Sequence, residues 1–276
     1  MITSLTLLIL SLVALYIGAG WLVQGSSALA LKAKISPLVV GLTIVAFGTS
    51  APELVVSLNA TLSGQGDIAI GNIVGSNIVN IGVILGVSAT ICPLQVKKQL
   101  LRIDIPVMLA ATVLFTILFW NGTLGRTEGL FFLTGIIIYT IFSLFYSRKH
   151  GTEGSSQELE EQPKHWAVDT LAIVGGLVVL VFASRLLVDN AVSIAKELGV
   201  SEAVIGLTIV AAGTSMPELA TSIVAAYKRK TDIAIGNIVG SNLFNILTIA
   251  GSCSLIHPIE AKNVNYIDLL LSLIHI

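Results

Sequence analysis

The 276-residue chain has few charged residues and only two cysteines. Charged side chains make up 11% of the sequence, whereas soluble domains carry about 25%, so the composition is typical of a polytopic membrane protein. The net charge of −1 and the lack of a basic cluster argue against a nucleic-acid partner. Cys92 and Cys253 lie in separate apolar segments, and we interpret them as small helix residues rather than a disulfide. The N-terminus lacks the charged start and cleavage site of a signal peptide, which indicates a first membrane helix.

Apolar segments of about 20 residues, long enough to cross a bilayer, follow one another along the chain. A charged, Gly/Ser-rich stretch at 148–165 is the predicted linker between a first repeat at 1–147 and a second repeat at 166–276. Five spans in the first repeat would give the second repeat the opposite orientation in the membrane. The predicted spans are 4–30, 37–62, 68–91, 103–121, 127–147, 166–195, 203–227, 233–256 and an incomplete one from 266.

The strongest internal feature is a repeat of forty residues. Residues 41–80 and 206–245 align without a gap at an offset of 165, and 26 of the 40 positions are identical. Each copy contains one glutamate, Glu53 or Glu218, within an apolar run. An ionisable group at membrane depth is energetically costly, so the repeated glutamates favour a functional site.

The distribution of Lys and Arg predicts the orientation of the chain. With the N-terminus outside, eleven of these residues fall in cytoplasmic segments, three fall in outer segments, and Arg185 falls within a span. This is the bias expected of membrane proteins, whose cytoplasmic loops are rich in positive charge. We therefore expect a multi-pass protein of the plasma (inner) membrane, with the 148–165 linker in the cytoplasm.

Two motifs occur in both copies and indicate a cation site. In GTSAPEL at 48–54 and GTSMPEL at 213–219, a proline leaves the carbonyl four residues earlier without its helical donor. Polar side chains at four-residue spacing then lie on one face of each predicted helix. They are Thr49, Glu53 and Ser57; Asn72, Ser76 and Asn80; Thr214, Glu218 and Ser222; and Asn237, Ser241 and Asn245. All-oxygen ligation favours Ca²⁺ or Na⁺ over zinc, copper or iron.

Other features of the same segments predict structure rather than chemistry. The G-x-x-x-G pairs at 71–75 and 236–240 predict close approach of helices. Asp67 and Asp232 each precede an apolar helix, and we interpret them as N-caps. Within the sixth span, Arg185 and Asp189 are four residues apart, and we predict an ion pair between them.

The paired motifs GTS-x-PE and GN-x-x-GSN-x-x-N resemble the α-repeats of the sodium/calcium exchanger family, and most closely its bacterial members. The resemblance covers nearly the whole chain. It implies an all-α fold of ten helices in two inverted five-helix repeats around Ca²⁺ and Na⁺ positions, with no cofactor and no obligate protein partner. The ligands it implies are Thr49, Ser50, Glu53, Ser76, Asn80, Thr214, Ser215, Glu218, Ser241 and Asn245, with backbone carbonyls near Ala46 and Ala211.

Two departures from the family pattern bear on the transported ions. Some relatives have an aspartate where this chain has Asn245, which leaves the number of Na⁺ ions and any K⁺ dependence open. Relatives of the proton/calcium exchanger type carry a glutamate within the GN motif, where this chain has Gly75, Ser76 and Asn77. The second departure favours Na⁺ over H⁺ as the driving ion.

The predicted function is secondary antiport of Ca²⁺ against Na⁺ by alternating access, with H⁺/cation exchange as the alternative. A cation channel fits less well because the inverted duplication favours alternating access. An intramembrane enzyme using Glu53 and Glu218 as an acid/base pair also fits less well, because the motifs contain no nucleophile–base pair or phosphate loop.

The end of the second repeat differs in length from that of the first. Counterparts of the spans ending at 121 and 147 would end near 286 (121 + 165) and 312 (147 + 165), beyond Ile276. The segment from Tyr266 would reach only about 16 Å, roughly half of the hydrocarbon core. We therefore predict a truncated form of a protein of about 310–320 residues.

Overall fold

The computed structural model describes residues 2–150, 165–200, 209 and 211–261, and most of these residues are helical. A short helical turn, Ala211–Gly213, precedes α8, and strands β1 (Thr123–Leu124) and β2 (Ile259–Glu260) pair antiparallel. The helices that build the site and its surroundings are α1 (Ile2–Ala33), α2 (Pro37–Thr49), α3 (Ala51–Leu62), α4 (Gly66–Ile91), α5 (Leu100–Leu118), α6 (Arg126–His150), α7 (Trp166–Glu197), α8 (Met216–Tyr227) and α9 (Thr231–Ile256).

These helices confirm the predicted all-α membrane architecture. Within the described ranges, six helices are long and apolar enough to cross a bilayer, and the bent pair α2–α3 makes a seventh when it is counted as one span. Their ends agree with the predicted spans to within a few residues, because the lengths of the apolar runs set the lengths of the helices. Residues 151–164 of the predicted linker, the start of the 203–227 span and the segment from 266 lie outside the described residues.

The chain bends within the second predicted span. Helices α2 and α3 meet at Ser50 at an angle of 47°, and the backbone there leaves the helical region (φ −83°, ψ 7°). Ser215, just before α8, has nearly the same conformation (φ −85°, ψ 8°). In both places the proline two residues later cannot donate to the preceding turn, which explains the break. The bend confirms the loosening of the backbone that the sequence predicts.

Wide, π-helical segments occur in α2 (Gly41–Val45), at the start of α5 (Leu100–Asp104) and in the middle of α4 and α9. The segment in α4 is Asn80–Leu85, and the segment in α9 is Phe244–Ala250. Such an insertion shifts the following side chains around the helix axis and is frequent at functional sites. Asn80 begins the segment in α4 and Asn245 is the second residue of the segment in α9, so both predicted ligands lie where the helix geometry changes.

Glycines allow α9 to pack closely against α2. A Cβ atom at Gly236 would stand 2.6 Å from the carbonyl oxygen of Leu38, and one at Gly240 would stand 2.6 Å from that of Leu42. This pair confirms the predicted helix contact. Around Gly71 and Gly75, nothing in the described part of the chain lies within 4 Å of such an atom. Residues 203 and 207, which correspond to Leu38 and Leu42 at the offset of 165, lie outside the described part of the chain.

Helices α1 and α7 pack against each other along their length. A Cβ atom at Gly176 would stand 2.7 Å from the carbonyl oxygen of Gly18, so only glycine permits this approach. An ion pair between Lys32, in the last turn of α1, and Asp169, in the first turn of α7, joins the two helices near one end. The Lys32 ammonium also lies 5.9 Å from the centre of the Trp166 ring. These contacts hold α1 and α7 together as a pair.

Two local predictions about charged residues are wrong. Asp67 and Asp232 are not N-caps but lie in the first turns of α4 and α9, where the helix dipole favours a carboxylate. Asp232 also forms an ion pair with Lys97. Arg185 and Asp189 are exposed on α7 and do not form the predicted pair. An exposed pair at this spacing contributes only about 0.3–0.5 kcal/mol, which is too little to order two long side chains.

Candidate cation site

The two repeated glutamates lie buried at the N-terminal turns of α3 and α8. Glu53 and Glu218 are each 1% exposed. The Ser50 hydroxyl donates a hydrogen bond of 2.7 Å to Glu218 Oε1, and the Ser215 hydroxyl donates one of 3.2 Å to Glu53 Oε1. Each carboxylate is therefore held by a serine from the other copy of the motif, at the residue where the helix is broken.

The second oxygen of each carboxylate has no hydrogen-bond partner among the residues that the structure describes. Glu53 Oε2 and Glu218 Oε2 are buried and unpaired, and neither glutamate forms an ion pair with a described residue. Among the predicted ligands that the structure describes, three more have a buried oxygen without a partner: Asn80 Oδ1, Asn245 Oδ1 and Ser241 Oγ. Buried polar atoms in folded proteins are nearly always paired, and buried charges require compensation. These five oxygens therefore lack the partner that a buried polar atom normally has.

The asparagines of α4 and α9 form two amide–amide hydrogen bonds between the repeats. Asn80 Nδ2 donates to Asn242 Oδ1 at 2.9 Å, and Asn245 Nδ2 donates to Asn77 Oδ1 at 2.9 Å. The two bonds are equivalent at the offset of 165, with the roles of the copies exchanged. They leave the oxygens of Asn80 and Asn245 as the free atoms of their amides.

A second set of amides fixes the helices that carry the glutamates. Asn72 Nδ2 donates to the carbonyl oxygen of Glu53 at 3.2 Å and to Ser57 Oγ at 2.9 Å. In the other repeat Asn237 Nδ2 makes the same two bonds, to the carbonyl oxygen of Glu218 at 3.3 Å and to Ser222 Oγ at 3.0 Å. These contacts fix α3 against α4 and α8 against α9.

The remaining predicted ligands differ in the contacts that they already make within the protein. Ser76 Oγ is buried 3.5 Å from Ser215 Oγ. The Thr49 hydroxyl donates to Asn237 Oδ1 at 3.0 Å, and the Ala46 carbonyl already accepts from the Ser50 amide at 3.0 Å. Thr214 is half-buried, and Ala211 begins the helical turn before α8. Ser50 and Ser215 thus contact the glutamates directly, whereas Thr49 and Ala46 are already engaged in other contacts within the protein.

Sequence reasoning missed the contribution of Asn77 and Asn242. Both were outside the predicted set because they do not lie on the polar stripe at four-residue spacing. They do recur at the offset of 165, three residues before Asn80 and Asn245, and both are buried. Their repetition was the available signal, but the sequence alone did not show which helix they face.

The donor set determines which ions the site suits. The predicted ligands offer carboxylate, amide and hydroxyl oxygens, and no cluster of three or more His, Cys, Asp or Glu side chains occurs among the described residues. Oxygen ligands suit Ca²⁺, which takes six to eight of them in flexible geometry, and other hard cations. A donor set of this kind suits a hard cation better than zinc, copper or iron.

A family model described as sodium/calcium exchanger protein matches residues 3–145 and 168–276. The chain belongs to this family. It is 38% identical over 272 residues to the inner membrane protein YrbG of Escherichia coli, a match that covers 96% of this chain and 84% of YrbG. It is also 38% identical over 264 residues to the putative antiporter CaxA of Alkalimonas amylolytica, covering 94% of this chain and 82% of CaxA.

Solved structures of this exchanger family show the same fold. The sodium-calcium exchanger NCX_Mj superimposes with a TM-score of 0.86 and 32% sequence identity, covering 99% of this chain and 88% of NCX_Mj. The agreement extends over the whole chain rather than over the repeated motifs alone. The chain is therefore a multi-pass membrane protein with the exchanger fold, and the family resemblance of its motifs is confirmed.

Proposed function

We propose that this protein is a secondary antiporter that exchanges Ca²⁺ for Na⁺ by alternating access. The observation that carries the proposal is the pair of buried carboxylates, Glu53 and Glu218, each with one oxygen bound by serine and the other free. Membership of the exchanger family supports it. The proposed ligands are Thr49, Ser50, Glu53, Ser76, Asn80, Thr214, Ser215, Glu218, Ser241 and Asn245, with the carbonyls of Ala46 and Ala211.

Charge balance gives a physical reason for exchange. Two ionised carboxylates are neutralised by one Ca²⁺ or by two monovalent cations, so the two kinds of ion compete for the same oxygens. When bound ions neutralise the two carboxylates, the site can stay in the low-dielectric interior while the protein changes conformation. An empty site with two unpaired charges is unfavourable there. Coupling follows because the protein changes conformation readily only when an ion is bound.

The burial of the site favours alternating access over a pore. Glu53 and Glu218 are almost inaccessible to solvent, so an ion can reach them only after a rearrangement of the helices. The symmetric exchange of serine and asparagine partners between the copies supports an inverted repeat, in which the two halves offer equivalent routes to opposite sides. We place the N-terminus outside and the protein in the inner membrane, in keeping with the Lys/Arg distribution and with the similarity to YrbG.

Proton/calcium exchange is the second candidate. Two buried carboxylates that lack a basic partner can be neutralised by protons as well as by metal ions, and the free oxygens of Glu53 and Glu218 would accept them. The absence of a glutamate at Gly75, Ser76 or Asn77 favours Na⁺.

Purified protein in proteoliposomes separates these functions. Vesicles loaded with Na⁺ are diluted into Na⁺-free buffer containing radioactive Ca²⁺, and uptake is compared with that of vesicles carrying a pH gradient or no gradient. We expect uptake that requires internal Na⁺ and is abolished when Na⁺ is equal on both sides. Uptake driven by the pH gradient without Na⁺ would identify the proton exchanger, and uptake without either gradient would identify a channel.

A further inference from the structure

The amide groups of the site pose an orientation problem that the carboxylates do not. An asparagine side chain has an oxygen on one side and an NH₂ group on the other, and only the oxygen can bind a cation. Reversing the amide of Asn80 or Asn245 would point two N–H donors at the place where a cation needs oxygen. A site that uses these residues therefore needs something to select the orientation.

The structure shows what makes this selection. Asn242 Oδ1 accepts from the Nδ2 of Asn80, and Asn77 Oδ1 accepts from the Nδ2 of Asn245, each at 2.9 Å. All four side chains are at most 2% exposed, so water does not compete for these bonds. With the NH₂ groups of Asn80 and Asn245 held away, their Oδ1 atoms remain as buried oxygens without a partner among the described residues, as does the Nδ2 group of Asn242.

We propose that Asn77 and Asn242 are positioning residues of the cation site, each orienting the amide of a ligand from the other repeat. Asn77 turns the oxygen of Asn245 toward the ion, and Asn242 does the same for Asn80. The proposal rests on the proposed function only in taking the bound species to be a hard cation. The acceptor oxygen, rather than the bulk of the side chain, is the feature that matters at positions 77 and 242.

The proposal makes the importance of Asn77 depend on the residue at position 245. An amide must be oriented, but a carboxylate presents an equivalent oxygen in either orientation. Asn245→Asp should therefore remove the need for Asn77 as an orienting acceptor. Asn80→Asp provides a matched control, because it adds the same carboxylate to the same site while the Asn245 amide still depends on Asn77.

The experiment is a double-mutant cycle with Asn77→Leu, which keeps the size of the side chain and removes the acceptor. The Ca²⁺ concentration for half-maximal uptake and the maximal rate are measured in proteoliposomes. Loss of one oriented oxygen ligand should raise that concentration about tenfold in the wild-type background and with Asn80→Asp, but less than about twofold with Asn245→Asp. In the equivalent cycle with Asn242→Leu, the rise in that Ca²⁺ concentration should be relieved by Asn80→Asp and not by Asn245→Asp.

A second measurement covers variants that fail to transport. The rise in melting temperature caused by Ca²⁺ reports ion binding in detergent, and the melting temperature without ions reports folding. The proposal is overturned if Asn77→Leu has no effect on Ca²⁺ binding, if its effect is as large with Asn245→Asp as in the wild type, or if both aspartates relieve it equally. If the Ca²⁺-dependent shifts in melting temperature follow the expected cycle but Na⁺-driven Ca²⁺ uptake is absent, the positioning role is supported and the exchange function is refuted.

Discussion

Replacing either buried glutamate by glutamine should abolish Ca²⁺ transport while leaving the protein folded. Glutamine keeps the acceptor that Ser215 or Ser50 binds at 3.2 and 2.7 Å, so the contact between the repeats survives in Glu53→Gln and Glu218→Gln. The lost charge is not replaced, because no described residue pairs with the free oxygen of either carboxylate. One unit charge at 4 Å from another contributes about 4 kcal/mol at an effective dielectric constant near 20.

That free energy corresponds to a loss of roughly a thousandfold in affinity for a univalent ion, and Ca²⁺ carries twice the charge. The amide dipole recovers part of it, so we expect the Ca²⁺ affinity to fall by at least about a hundredfold in each variant. Both variants should be affected to a similar extent, because the two glutamates are equivalent in burial and bonding.

The assay is radioactive Ca²⁺ uptake into Na⁺-loaded proteoliposomes, with the Ca²⁺-dependent rise in melting temperature measured on the same preparations. Asp67→Asn is the matched control, since it removes a carboxylate at the start of α4, outside the buried centre, and should reduce uptake only mildly. Normal uptake by Glu53→Gln, or a loss of uptake in the control as large as in the glutamine variants, would refute the electrostatic argument.

Two further predictions concern the membrane orientation and the packing of the glycines. In a background without native cysteines, an impermeant thiol reagent applied to intact cells should label a cysteine at the exposed position Gln65 but not one at Ser155, and the opposite result would reverse the proposed orientation. Gly236→Ala should destabilise the protein by about 1–3 kcal/mol, because the new methyl group would overlap the α2 backbone. Gly71→Ala, with no described atom within 4 Å, should leave the melting temperature unchanged or raise it, and equal destabilisation by both would count against the packing asymmetry.

The sequence predicted most of the fold because its signals are local. The lengths of the apolar runs gave the helices, and the proline at 52 gave the bend at Ser50, since both effects act within one helix. The capping prediction for Asp67 failed because a carboxylate is favourable anywhere in a first turn, so the sequence did not fix where the helix begins. The predicted Arg185–Asp189 pair failed because spacing along a helix permits a contact without stabilising it.

The candidate site was predictable as a set of residues but not as a set of contacts. The repeated motif identified Glu53 and Glu218, because duplication of a buried charge is hard to explain by packing. It did not show that Ser50 binds the carboxylate of the other repeat, since the spacing along a chain does not report which helix faces which. Asn77 was missed for the same reason, because its hydrogen bond with Asn245 joins helices from different repeats.

The exchange of partners between the repeats also constrains how such a protein can be divided or could have originated. A chain with one copy of the motif would carry one carboxylate without the serine that binds it in this structure, so it would lack these contacts by itself. Two identical copies would carry every residue type that these bonds need, because each of the serine–glutamate and asparagine–asparagine bonds joins one copy to the other. Joining two such genes end to end would preserve the site and would then free each half to change separately, as the different residues in the two copies of the motif already show.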